Sequence, residues 1–159
     1  MTTKQASLLP LPRLAWTLSV LFLCAGIALP ALAATDPPIP AGSVRIHYFR
    51  PDNNFSGWTM WTWNASTENQ TAWCSTELNQ AGTDSYGAYW DVTINPAWGT
   101  PVGDLGFIIH NCALNVKDPG PDMHLQINQN NEAWVISGDP TVYLTQPTAA
   151  QLLNAVVPA

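Results

Sequence analysis

The stretch Gly57-Trp58-Thr59-Met60-Trp61-Thr62-Trp63 decides how the rest of the chain is read, and it holds three of the eight tryptophans. On an extended strand successive side chains alternate between faces. Trp61 and Trp63 therefore point the same way, about 7 Å apart, while Trp58 and Met60 point the other way. One face can fill a core while the other presents two flat indoles side by side. Such a pair can pack inside a small all-β domain. It can equally receive two neighbouring sugar rings, because the face of a pyranose is flat and weakly apolar. Parity says that the indoles share a face, not which face is wet.

Working outward, Val44, Ile46 and Tyr48 alternate with Arg45, His47 and Phe49, a period-two strand that begins at Ser43. Arg50-Pro51-Asp52-Asn53-Asn54 supplies turn residues before the tryptophan stretch. Residues 65–87 are polar without a period and read as a long loop. Ala88, Trp90, Val92 and Ile94 then alternate with Tyr89, Asp91 and Thr93. Leu105-Gly106-Phe107-Ile108-Ile109 is apolar on both parities, the pattern of a central strand covered on both sides. Short strands follow at 123–128, 132–136 and 141–144, with the turns Gln129-Asn130-Asn131 and Gly138-Asp139-Pro140 between them. Trp90 and Trp134 share the parity of Val92, Ile94 and Ile136, which predicts both in the core. Helical spacing is absent until 149–157. Short strands punctuated by turns make an all-β chain, an immunoglobulin-like antiparallel β-sandwich.

A length of 159 residues fits one domain. Residues 1–33 read as a secretory signal: Lys4 and Arg13 form a positive start, 14–29 is largely apolar, and Ala31-Leu32-Ala33 is a cleavage site. The apolar run carries Thr17 and Ser19 and falls short of the ~20 residues a transmembrane helix needs. Cys24 follows Leu23 rather than a small residue, which argues against a lipoprotein signal. The expected product starts at Ala34, secreted or periplasmic, with no membrane span after cleavage. Residues 34–42 form a proline-rich lead-in, 43–147 the module, and 148–159 a tail or truncated linker.

Without Lys4 and Arg13, the five basic residues fall to Arg45, Arg50 and Lys117 against eleven acidic ones, a net charge of −8. Nucleic-acid binding rests on cations that neutralise phosphates, so that class is excluded, and anionic membrane surfaces are disfavoured likewise. A neutral partner fits best. Outside the cytoplasm the remaining cysteines, Cys74 and Cys112, are a candidate disulfide, with two buried thiols as the alternative. His47, His110 and His124 are scattered over three segments without metal-ligand spacing, so no metal and no cofactor are expected. His47 reads as a satisfied histidine rather than a ligand. Sequons at Asn64 and Asn69 mark a polar loop. Asp118 and Asp122 share a loop, yet nothing distinguishes a catalytic carboxylate pair from an acidic surface, and no nucleophile elbow is present. In the stiff loop Lys117-Asp118-Pro119-Gly120-Pro121-Asp122 an ammonium and a carboxylate can clamp vicinal sugar hydroxyls; the plainer reading is a solvated ion pair.

Taken together, Val44-Arg45-Ile46-His47-Tyr48-Phe49-Arg50-Pro51-Asp52, the tryptophan stretch, Gly106-Phe107-Ile108-Ile109-His110, the lysine loop and Glu132-Ala133-Trp134-Val135-Ile136-Ser137-Gly138-Asp139-Pro140-Thr141-Val142-Tyr143 resemble the bacterial pullulanase-associated domain, family 41 of the carbohydrate-binding modules. The match runs in order from about Ser43 to Pro147. The resemblance implies a β-sandwich that binds α-glucans such as pullulan, amylose and amylopectin. It implies stacking by Trp61 and Trp63 on consecutive glucose rings, hydrogen bonds from Lys117 and Asp122, and outward-facing indoles. Where some members of that family carry a further aromatic before the lysine, this chain has Asn111-Cys112-Ala113-Leu114-Asn115-Val116, so no additional aromatic contact is implied there. No catalytic barrel is expected within these 159 residues. The expectation is an exported, non-catalytic α-glucan binder, associated with a glycoside hydrolase catalytic domain as partner. The alternatives are an amino-terminal fragment of a pullulanase-type α-1,6-glucan hydrolase and a protein-binding β-sandwich.

Overall fold

The computed structural model describes residues 36–68 and 70–156. The signal segment 1–33 with its cleavage site, the first residues of the lead-in and the sequon asparagine at 69 lie outside the described residues.

The described residues form nine strands and one short helix, in order: β1 (Ser43–Phe49), β2 (Trp58–Asn64), β3 (Gly82–Thr83), β4 (Ala88–Thr93), β5 (Asp104–Asn111), β6 (Val116–Lys117), β7 (Met123–Gln126), β8 (Glu132–Ile136), β9 (Asp139–Tyr143) and α1 (Ala149–Leu152). They form two sheets. One runs β3-β4-β1-β8-β9; the other runs β2-β5-β6, with β7 also paired to β5. The β1–β8 pairing is parallel and the other strand pairings are antiparallel. The β-sandwich read from the alternation is therefore present, with one parallel seam that alternation cannot signal.

The sheets face each other through the apolar parity of their strands. Val44, Ile46 and Tyr48 of β1, Trp90 and Val92 of β4, and Ala133 and Val135 of β8 meet Trp58 and Met60 of β2, Leu105, Phe107 and Ile109 of β5, and Met123 and Leu125 of β7. Each large side chain so buried stabilises the fold by roughly 1.5–3 kcal/mol. Trp90 is fully buried, and its indole N–H donates to the Leu78 carbonyl at 3.1 Å. Trp134 overturns its expectation. In the parallel register Ala133 lies opposite Ile46 and Val135 opposite Tyr48, so those two face the core; Trp134 lies opposite His47 and stacks on it outside. Ile136 shares Trp134's parity yet is buried outside the main core, past a register shift in β8.

The long polar segment 65–87 is not a free loop. β2 is an edge strand, and an uncovered edge offers unpaired backbone groups. Here Leu78 pairs with Met60 through both backbone N–H groups, at 3.0 and 2.9 Å. The Gln70 amide accepts from the Thr62 N–H at 2.6 Å and donates to the Met60 carbonyl at 3.1 Å. A disulfide joins Cys74 of this segment to Cys112 at the end of β5, 38 positions away. The segment is thereby folded back along the tryptophan strand. Among the described residues no helix is long and apolar enough to cross a membrane.

Candidate functional site on the outer face of the four-stranded sheet

Because Trp58 and Met60 are taken up by the core, parity turns Thr59, Trp61 and Trp63 outward. The register then places their neighbours. Across β5, Trp63 lies opposite Gly106, Trp61 opposite Ile108 and Thr59 opposite His110. On the far side of β5, Gly106 lies opposite His124 and His110 opposite Lys117. Directly opposed residues share a face. Trp61, Trp63, Lys117 and His124 therefore stand on one surface of the sheet, with Lys117 and His124 flanking different ends of the tryptophan row.

At the first end, a methyl group on Gly106 would lie 2.0 Å from the Trp63 indole. Only a residue without a side chain lets that ring lie flat across β5. His124 meets the Trp63 ring edge-on at 5.7 Å and 88°. Its Nδ1 sits 3.0 and 3.1 Å from the carboxylate oxygens of buried Asp104, which also accepts from the Asn64 amide at 2.6 Å. The imidazole is thus oriented, and about half of its side chain stays exposed. The amide nitrogen of the Asn64 sequon is engaged by the same carboxylate.

At the other end, Trp73 enters from the folded-back segment. Its ring centroid is 5.5 Å from that of Trp61, tilted by 52°, and 4.2 Å from that of His110. Beneath it, His110 Nδ1 lies 3.4 Å from Glu77 Oε1, the Thr59 hydroxyl donates to Glu77, and the Cys74 N–H donates to Glu77 at 3.1 Å. Donor atoms of Cys74, Glu77, His110 and Cys112 all lie within 4.8 Å of one another. This convergence of metal-ligating types was not legible from the spacing of the histidines. With both sulfurs joined there is no thiolate to offer a soft cation, so the set does not fit a metal in this form.

Lys117 Nζ donates to Asp122 at 2.7 Å, and both side chains reach solvent. The neighbouring acid behaves differently. Asp118 is buried and accepts from the hydroxyls of Tyr48 and Ser137 and from the Gly138 N–H at 2.8 Å, with Arg50 at 3.7 Å. Burial, together with the Asp118 charge, holds the Tyr48 phenol well above its usual range. Asp118 locks the lysine loop to the core, and Asp122 alone of the two belongs to the surface. Arg45 and Arg50 are buried against Asp91 and Asp52. Among the described residues that leaves Lys117 as the cation of the aromatic face.

The four residues expected at the site are thus gathered at this sheet: Trp61 and Trp63 as a row on β2, Lys117 on β6, and Asp122 in the loop before β7, paired with Lys117. Sequence reasoning missed His124 and Trp73. His124 was available from the alternation Met123-His124-Leu125, which turns it outward. Trp73 had no such signal, because its segment has no period.

The family model described as "Bacterial pullanase-associated domain" matches residues 42–144. Pullulanase A of Streptococcus pneumoniae, in both serotype 2 and serotype 4 strains, is 31% identical over 114 residues, covering 67% of this chain. The chain spans 8% of the length of these curated relatives. Among solved structures, one of family 41 carbohydrate-binding modules from streptococcal virulence factors, concerned with α-glucan recognition, superposes with a TM-score of 0.57 at 23% identity. It covers 68% of this chain and 49% of that one. PulA from Klebsiella oxytoca superposes with a TM-score of 0.53 at 21% identity, over 68% of this chain and 12% of that one. At these identities the two structures show a shared fold.

Proposed function

The chain belongs to the bacterial pullulanase-associated domain family, and from that premise we propose that its residues 43–147 form a non-catalytic module that binds α-glucans such as pullulan, amylose and amylopectin. The observation that carries the reading is the register of β2 on β5, which sets Trp61 and Trp63 side by side on the face that Lys117 reaches from β6. In this reading the two indoles stack on consecutive glucose rings. Lys117 and Asp122 exchange part of their mutual hydrogen bond for sugar hydroxyls, which are donors and acceptors at once. The imidazole of His124 hydrogen-bonds at the Trp63 end. Two rings stacked at about 1.5–3 kcal/mol each, less the cost of association, suggest dissociation constants in the micromolar to millimolar range.

A neutral ligand suits a chain with so few exposed cations. A signal removed near Ala33 would deliver the module to the periplasm or the exterior, where such polysaccharides are met. The second reading is that the module anchors a pullulanase-type α-1,6-glucan hydrolase to its substrate; the match to a segment of Pullulanase A favours it. Affinity electrophoresis tests the first. Migration should slow in native gels containing pullulan or amylopectin and stay unchanged in a soluble cellulose derivative. Equal migration in all three gels would refute glucan binding, and maltotriose released from pullulan by the purified chain would refute the non-catalytic assignment.

A further inference from the structure

Trp73 is 43% exposed although three separate anchors hold its segment. The adjacent Cys74 is covalently bound to Cys112, its backbone sits at φ 67°, and its N–H donates to buried Glu77. A positive φ is unfavourable for a residue with a side chain, so this turn depends on its surroundings to keep its shape. The folded-back segment is pinned again at Gln70 and Leu78. An aromatic ring held this firmly and left open is a built position. Its place follows from the register: the row along β2 runs Trp63, Trp61 and then Trp73, which packs on His110, the residue that pairs with Thr59 on one side and Lys117 on the other.

The third ring is inclined 52° to the second. A flat ribbon, the form of a β-1,4-linked glucan, resting on Trp61 would pass over an inclined ring without stacking on it. An α-1,4-linked chain turns continuously because each linkage leaves one ring axially, and successive sugars tilt. We infer that Trp73 is a third ring platform that fits this face to a curved, α-linked chain longer than two sugars, and that the Cys74–Cys112 bond holds it in place. The inference rests on the α-glucan reading above.

The test is a chain-length series of maltose, maltotriose and maltotetraose titrated calorimetrically into the full chain, with cellotetraose beside it. In the unaltered protein, affinity should rise by about tenfold from maltose to maltotetraose as another ring is covered. Trp73→Ala should flatten that rise, leaving maltose within about twofold, and Trp73→Phe should restore part of it. Dithiothreitol should flatten it too: the reagent passes two electrons and two protons to the bond, leaving two thiols on the chain and a cyclic disulfide on itself. A purely structural role would lower the unfolding temperature without changing the ratio between ligands. Should the reduced protein unfold, oxidation of Trp73 by N-bromosuccinimide, mapped in the unaltered protein, decides; maltotetraose should shield it. An unchanged length preference in Trp73→Ala, or equal oxidation with and without maltotetraose, overturns the platform, and an unchanged preference in folded, reduced protein overturns the tether. If Trp61→Ala also leaves binding intact, the failure lies with the α-glucan reading itself; if Trp61→Ala abolishes binding, it lies with Trp73 alone.

Discussion

The outer faces of the two sheets are built from similar residues and behave in opposite ways. On the five-stranded sheet, Arg45 is held by both oxygens of Asp91 at 2.7 and 2.8 Å, lies over the Tyr89 ring, and donates to the Pro37 carbonyl of the lead-in. His47 bridges Asp84 and Glu132 at 2.6 and 2.7 Å and stacks flat on Trp134, centroids 5.1 Å apart. Arg45 and His47 are both 2% exposed. Charges and rings there answer one another. On the four-stranded sheet the rings of Trp61, Trp63 and Trp73 keep part of their area open, and the polar groups Lys117, Asp122 and His124 stand at the margins. The difference between the faces is that Arg45 and His47 are buried among their partners, whereas Lys117 and His124 reach solvent beside the rings.

The largest effect should come from breaking the closed face. Arg45→Ala leaves Asp91 without its partner next to a covered surface, and removing one member of a buried pair costs about 3–5 kcal/mol. Chemical denaturation should show that loss, while the glucan affinity of the protein still folded stays unchanged. On the open face, Gly106→Ala should do the reverse. The added methyl displaces the Trp63 ring, and calorimetry should show affinity for maltotetraose falling by about tenfold with a much smaller change in stability. Lys117→Ala should weaken binding by up to about tenfold through loss of charge-assisted hydrogen bonds, and Lys117→Arg should recover little, since a planar guanidinium aims its donors differently. Because the proposed ligand is neutral, titrations at low and moderate salt should agree.

The smallest effect concerns acid. Arg50 holds the Asp52 carboxyl below its usual range. A depressed carboxylate stabilises the fold above its unfolded value and loses that contribution as pH falls through its folded value. Asp52→Asn should therefore lower the unfolding temperature slightly at neutral pH, with the difference vanishing in acid below pH ~4. Asp118, which fixes the lysine loop, keeps its hydrogen bonds from Tyr48, Ser137 and Gly138, so the open face should bind as before.

Much of this molecule is legible without coordinates, because a strand of five or more residues writes its core-facing side as apolar alternation. β1, β2 and β4 show it plainly, and the doubly apolar run of β5 is explained by cores on one side and tryptophans on the other. Two-residue strands such as β3 and β6 leave no period to detect. The parallel β1–β8 seam is equally silent, since pairing direction does not change alternation. Trp134 was misplaced because Ile136, beyond a register shift, is buried without facing the core. Within the site, Trp61 and Trp63 could be paired by parity and Lys117 and Asp122 by their shared loop. Trp73 could not, because its position depends on a covalent bond and on the side chains of Gln70 and Glu77 rather than on any local pattern.

The central claim is that the four-stranded sheet, and not its partner, carries the glucan surface. Calorimetric titration of maltotetraose into Trp61→Ala/Trp63→Ala and, in parallel, into Trp134→Ala tests it most directly, since the second substitution removes an indole of comparable burial from the opposite face. The account predicts no measurable binding heat for the first protein and an affinity within about twofold of the unaltered chain for the second. Retained binding in the first, or its loss in a folded Trp134→Ala protein, would contradict it.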